Sequence, residues 1–260
     1  MEVSIRRTFP NDMFNFVVDI TTANNNNNNA ENGDGRRRSF AVHTLWVDTE
    51  DYARKWVMDM QKKIRKQRPI IVALCADRSY NYADSGTMNH YKREHKDREY
   101  DLLQICIEDQ CLVVKLDRRG GSGYDSFNCK ALKEFLLDHR VTVVGVGLEN
   151  LVERFAEDYG WEMPKIVDLR DLWAQAQAQS QAQVQQVRKN LNRFGIARLA
   201  KVVLGEEMNL VKPAKIQWWC RPYNYNNRPR FHSDEVIKYA TVEAFLVFQM
   251  GTKLILEAKN

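Results

Sequence analysis

The chain has 260 residues, 44% of them hydrophobic, enough to bury a sizeable core in one large domain or two small ones. It holds no run of about 18 apolar residues, which excludes a membrane-spanning helix, and its start, MEVSIRRTFPNDMFNF, has no apolar stretch behind the arginines, which argues against a secretory signal. A net charge of +5 leaves nucleic acid open as a partner without establishing it, and five scattered cysteines (Cys75, Cys106, Cys111, Cys129, Cys220), none in a CxxC pair, suit reduced core thiols in the nucleus or cytoplasm.

FNFVVDI (14–20) and SFAVHTLWV (39–47) alternate as strands do. The asparagine tract between them, with Gly33 and Gly35, cannot pack a core and is expected to be a mobile loop. Residues 1–38 therefore read as an N-terminal strand plus an Asn-rich, basic loop, and residues 39–260 as the main domain. Thr49 is placed to cap a helix with Glu50 and Asp51 in its first turn, and Tyr52, Trp56, Val57, Met60 and Ile64 form one apolar stripe along it. Basic residues crowd that helix and its exit: Arg54, Lys55, Lys62, Lys63, Arg65, Lys66 and Arg68. They read either as a solvated face suited to the helix dipole or as a phosphate contact, for which Lys62, Lys63, Arg65 and Lys66 are the candidates.

IIVALCAD (70–77) is a buried strand that turns polar at its end, with Cys75 and Asp77 on one face by the period of two. Residues 80–100 are polar and read as a loop. LLQICIED and CLVVKL (102–116) form a hairpin, and RRGGSGYDS is a plain connection without the lysine of a phosphate loop. KALKEFLLDHR is an amphipathic helix, VTVVGVG (141–147) a second buried strand, and ENLVERFAEDYG a helix stopped by Gly160. The Gln/Ala-rich insert at 175–186 either extends a helix or stays disordered. LNRFGIARLAKVVLG is helical to Gly205, and SDEVIKYATVEAFLVFQMGTKLILE is a long helix with Ser233 as its cap. The whole is an α/β chain with a mixed sheet covered by helices.

Taken in order, VHTLWV, IIVALCADR, LLQICIEDQCLVVKL, VTVVGVGLENLVERFAEDYGW, DLRDLW, LAKVVLG and WWCRP…HSDEVIKYATVEAF resemble the 3′–5′ exonuclease domain of the plant Werner-syndrome-like exonucleases, over about residues 39 to 256. The resemblance implies an RNase H-like 3′–5′ exonuclease fold, with a mixed sheet of about five strands flanked by helices. It also implies a site in which four acids hold two Mg²⁺ or Mn²⁺ ions, beside a tyrosine that positions the attacking water.

At those positions this chain departs from the family. Where the family has Asp-x-Glu, it has Cys75-Ala76-Asp77; the aspartate after VGVG is Leu151; Tyr-x-x-x-Asp is Tyr239-Ala240-Thr241-Val242-Glu243. The resemblance thus implies catalytic residues Asp77 and Glu243 with a vestigial Tyr239, substituted acid positions Cys75 and Leu151, and weak or no metal binding at Asp77 and Glu243. A thiol is a soft ligand, badly matched to Mg²⁺. Glu149 and Glu153, two residues either side of Leu151, point roughly 160–200° away from it on a helix and do not replace it.

The expected function is a catalytically impaired 3′–5′ exonuclease-like protein. It would bind single-stranded nucleic acid, with Arg221 meeting phosphate and Trp218 either stacking bases or packing the core beside the last helix, or act through a homo- or hetero-oligomer with related exonucleases. The alternatives are an active metal-dependent exonuclease with a modified site, and a pure protein-interaction module.

Overall fold

The computed structural model describes residues 1–9, 14–22, 38–47, 49–65, 69–77, 100, 102–116, 129–178, 181–208, 210 and 234–257. The alternating segments pair as strands: β1 (Glu2–Arg7), β2 (Asn15–Thr22), β3 (Arg38–Val47), β4 (Ile70–Asp77), β5 (Leu102–Ile107), β6 (Gln110–Lys115), β7 (Val141–Gly145) and β8 (Ile166–Asp168). They form one eight-stranded mixed sheet in the order β1-β2-β3-β6-β5-β4-β7-β8. This is the expected RNase H-like architecture, with a sheet wider than the five strands anticipated. Two strands had no reading from sequence. β1 carries only Val3 and Ile5 among charged and polar neighbours, and β8 is three residues long.

The helices are α1 (Glu50–Lys63), α2 (Lys130–Leu137), α3 (Leu148–Tyr159), α4 (Leu169–Gln177), α5 (Gln181–Leu191), α6 (Ile196–Leu204) and α7 (Asp234–Glu257). Trp56, Val57, Met60 and Ile64 of the α1 stripe are buried, while Tyr52 is exposed and stacks on Phe14. Thr49 has the extended backbone of a cap but makes no side-chain cap bond. Gly160 ends α3 in the left-handed region, at φ 61°. The Gln/Ala segment is helical on both sides of residues 179–180, which lie outside the described residues, and Val184 and Val187 of α5 pack against the core.

The sheet separates two cores. α7 crosses one face from β1 to β7, and with α4 and α6 it closes the first core, which holds Cys75, Cys106 and Cys111. α1, α2 and α3 close the second, around Leu74, Leu103, Leu148 and Trp161. A Cβ added at Gly251 of α7 would stand 2.7 Å from Val144 Cγ2, so this glycine allows the helix to lie close on β7. A buried pair of hydroxyls, Thr44 and Thr241, hydrogen-bonded at 2.9 Å, fixes α7 to β3 midway between Tyr239 and Glu243.

The expected Asn-rich loop, the glycine-rich connection and the Ser233 cap lie outside the described residues.

Candidate functional site

Parallel pairing of β4 with β7, and of β7 with β8, directs the C-terminal ends of all three strands the same way. Open α/β sheets place their sites at such an end. Asp77 closes β4 there, half-buried, and Cys75 lies two residues earlier on the face covered by α7. Opposite Cys75 in the antiparallel register is Gln104 of β5, fully buried. Its amide nitrogen donates to Asp77 Oδ2 at 2.7 Å. Its own carbonyl, Oε1, has no partner among the described residues.

α7 supplies the other half. Tyr239 and Glu243, one turn apart and both buried, are joined by a 3.0 Å hydrogen bond in which the phenol donates to Glu243 Oε1. Burial, then the Glu243 carboxylate, then Asp77 and Cys75 hold the Tyr239 phenol far above its usual range. It remains a protonated donor at any physiological pH. Burial also pushes the Cys75 thiol well up, and the charges of Glu243 and Asp77 push it further. The structure therefore brings Cys75, Asp77, Tyr239 and Glu243 into one electrostatically coupled group, with Gln104 as a fifth member. A lone glutamine inside LLQICI was the signal for it: a fully polar side chain in a six-residue strand with every position buried has to meet a partner.

Leu151 sits on α3, 6% exposed, within the second core.

The basic candidates lie elsewhere. α1 leads into the start of β4, so its C-terminus is at the end of the sheet opposite Asp77. Lys63 binds Asp109 at 2.6 Å and Glu108 at 3.3 Å, in the turn that follows β5, whereas Asp77 pairs with Leu102 where β5 begins. The two ends are separated by about 20 Å of strand. Lys62 is paired with Asp59 on its own helix. Arg65 is exposed at the α1 exit, and Lys66, Trp218 and Arg221 lie outside the described residues. That α1 ends away from Asp77 follows from the chain order helix-then-strand alone, a signal available in the sequence.

A second charged group stands at the Asp77 end of the sheet. Asp168, at the β8–α4 junction, accepts from the backbone N–H of Arg170 at 2.9 Å and from that of Gly147 at 2.8 Å. The Arg170 guanidinium clasps the same carboxylate at 2.8 and 3.1 Å and donates onward to the Asn192 carbonyl at 3.2 Å. Burial alone would raise the Asp168 pKa, but the Arg170 guanidinium and the two backbone N–H groups outweigh it and hold the group below the usual carboxylate range. This clasp positions the β7–α3 turn, whose Gly147 is left-handed at φ 70°, against the α5–α6 connection.

Divalent Mg²⁺ or Mn²⁺ requires several converging hard oxygen ligands. The group at the end of β4 offers two carboxylates and a thiol kept protonated by burial, and each carboxylate already accepts a hydrogen bond. Among the described residues, no set of three or more His, Cys, Asp and Glu side chains is arranged to hold a metal ion. The donor set does not fit a two-metal pair.

The sequence finds no match among protein-family models or among curated proteins. Solved structures share its fold. Escherichia coli RNase D, an exoribonuclease involved in structured RNA processing, is 16% identical with a TM-score of 0.55, over 83% of this chain and 45% of that one. Trypanosoma brucei RNase D in complex with GMP is 15% identical with a TM-score of 0.54, over 82% of this chain and 57% of that one. The same enzyme in complex with RNA U12 is 15% identical with a TM-score of 0.52, over 82% and 62%. The chain thus spans less than two thirds of each of these proteins. At such identities the likeness is one of fold: this chain has the mixed α/β fold of the RNase D exonucleases.

Proposed function

We propose that this chain is a 3′–5′ exonuclease-like protein, akin to the plant Werner-syndrome-like enzymes, that binds single-stranded nucleic acid and no longer hydrolyses it. What carries this reading is the donor set at the end of β4. The strand and helix that would present four metal-binding acids present Cys75, Asp77 and Glu243, with Leu151 in the second core. Phosphodiester hydrolysis by two metals stabilises both the attacking and the leaving oxygen, and that requires the full ligand set. The residues present do other work. Gln104 and Tyr239 each donate to a carboxylate, which fixes both acids in place and stabilises their charge without a metal. Metal-free carboxylates at this end would repel a phosphate, so a bound strand would be held by cations away from Asp77 and Glu243. The RNA U12 complex of the Trypanosoma brucei enzyme supports a single strand as the ligand of this fold.

A 3′-labelled oligonucleotide, incubated first with Mg²⁺ and then with Mn²⁺, is expected to stay intact while its fluorescence anisotropy rises on binding. The affinity should fall as salt is added, in the linear log–log manner of phosphate contacts. Metal-dependent release of 3′ nucleotides that Asp77→Ala abolishes would instead establish an active exonuclease with a modified site. Absence of binding even at low salt would leave a protein-interaction module.

A further inference from the structure

The first strand ends the sheet, and among the described residues nothing pairs its outer side. Unpaired strand edges invite another strand, and natural proteins blunt them with charge, proline or brevity. β1 has six residues and no proline. Its outward-facing groups follow from one bond. The Thr8 N–H donates to the Asn15 carbonyl at 3.1 Å, in the register that continues from Arg7–Phe16. Antiparallel ladders alternate, so Glu2, Ser4 and Arg6 bond inward to β2, and Val3, Ile5 and Arg7 turn their N–H and C=O groups outward.

We propose that β1 pairs with β1 of a second copy of this chain, antiparallel about a two-fold axis through Ser4. A continuous sheet with both apolar faces on one side requires like-facing residues to stand opposite each other, which restricts the registers to every second one. With Ser4 opposite Ser4, Val3 meets Ile5 of the second copy on the face packed toward α7, and Ile5 meets its Val3. On the other face Glu2 meets Arg6 of the second copy, and Arg6 its Glu2. The neighbouring registers lack this match: one step either way sets Arg6 against Ser4, or Glu2 against Ser4, and forms no charge pair. Val3 and Ile5 become the outward hydrogen-bonded pairs on each side of the axis. The charges that protect an isolated edge are therefore complementary here. Arg6 is 61% exposed on its side chain and holds Asp19 at 3.0 Å, and Asp19 lies on β2 behind it, so a second carboxylate from Glu2 of the other copy would share the guanidinium. The other end of the sheet, β8, has only three residues. Pairing β1 to β8 would be shorter and would propagate head to tail, whereas β1 to β1 closes as a dimer.

Light scattering on the eluted full chain, loaded at about 1 to about 100 µM because subunit association follows mass action, is expected to move from 30.5 kDa toward twice that mass. Ser4→Cys should form an intermolecular disulfide within minutes under a mild oxidant in a Cys220→Ser background, because the two thiols face each other across the axis. Glu2→Cys should not, being displaced from its own copy by about four residues, on the order of 13 Å. Glu2→Arg and Arg6→Glu should each shift the dimerisation midpoint at least tenfold to higher concentration, and the double exchange should restore it. Unchanged thermal melts at low concentration would show that each monomer still folds. A mass of 30.5 kDa at every concentration, with no Ser4→Cys cross-link, overturns the proposal. A dimer that neither cross-links at Ser4 nor responds to the charge exchanges also overturns it, since it must use another surface.

Discussion

Replacing Asp168 by alanine removes four hydrogen bonds at once: those from the Arg170 backbone, from two nitrogens of its guanidinium, and from the Gly147 backbone. One of these is the cap of α4, and losing such a cap costs about 0.5–2 kcal/mol. The second loss is electrostatic. Arg170 and Asp168 are only 20% and 15% exposed on their side chains, so among the described residues the guanidinium would keep a single acceptor, the Asn192 carbonyl. Breaking a fully buried pair costs about 3–5 kcal/mol, and the partial exposure here brings that down toward the lower end. The expected loss for Asp168→Ala is about 3–4 kcal/mol in urea unfolding at pH 7, read as a fall in midpoint with an unchanged slope. Asp168→Asn keeps an acceptor for the cap and loses the charge, so it should cost about half as much. The pH dependence fixes the sign. Asp168 is depressed in the folded state, so its contribution is complete above the unfolded value of about 3.9 and disappears as the pH falls through the lower folded value. The gap between wild type and Asp168→Asn should therefore narrow from pH 5 down toward pH 2.5. Asp138, held at about 2 by Arg140, titrates in both proteins and cancels in the difference. A loss under about 1 kcal/mol for the alanine variant, the level of an exposed ion pair, or a gap that widens in acid, would refute the reasoning.

Gly251→Ala should destabilise by about 1–3 kcal/mol in thermal or chemical unfolding, although alanine is the better helix former, because its Cβ would overpack against Val144. Gln104→Leu should change stability by less than about 1 kcal/mol, since losing the bond to Asp77 is offset by removing a buried carbonyl without a partner among the described residues. Leu151→Asp alone should cost several kcal/mol, about 2–4, by placing a carboxyl in the second core, and should create no nuclease activity on a labelled oligonucleotide. Cys75→Asp, Asp77→Glu and Glu243→Asp together should lower apo stability, and Mg²⁺ or Mn²⁺ should raise it again in a melting experiment, because the three carboxylates gathered at the end of β4 resist burial until a cation binds the native state.

Most of the sheet was legible because its strands are apolar runs of ordinary length bounded by polar breaks, as in 70–77 and 102–116. The strand order was not: the parallel pairing of β3 with β6 joins residues far apart in sequence, and no local pattern encodes it. β1 hid for a different reason. Four of its six residues are exposed, and two apolar side chains are too few to stand out. The Gln/Ala segment was undecided between helix and disorder because both residues permit a helix without demanding one; the tertiary contacts of Val184 and Val187 decide it. At the site, Asp77 was legible as the polar end of a buried strand, whereas Tyr239 and Glu243 were legible only through the family resemblance, whose Tyr-x-x-x-Asp motif they match. Gln104 and the Asp168–Arg170 clasp were not read, because each acquires meaning only from a partner brought by another element.

Helix α7 crosses seven of the eight strands, and of the described elements it is the last to be synthesised. A nascent chain that has exposed everything through residue 208 on the ribosome can already close the second core, whose helices lie between residues 50 and 159. The opposite face of the same sheet, lined by Val18, Val42, Cys106 and Val113, lacks its main cover until residues 234–257 emerge. At ordinary translation rates of about 5–20 residues per second, that apolar face is open for several seconds. Folding in the cell is thus set by a late docking event, and a ribosome that stalls before α7 leaves a half-closed sheet as a client for chaperones rather than a smaller stable protein.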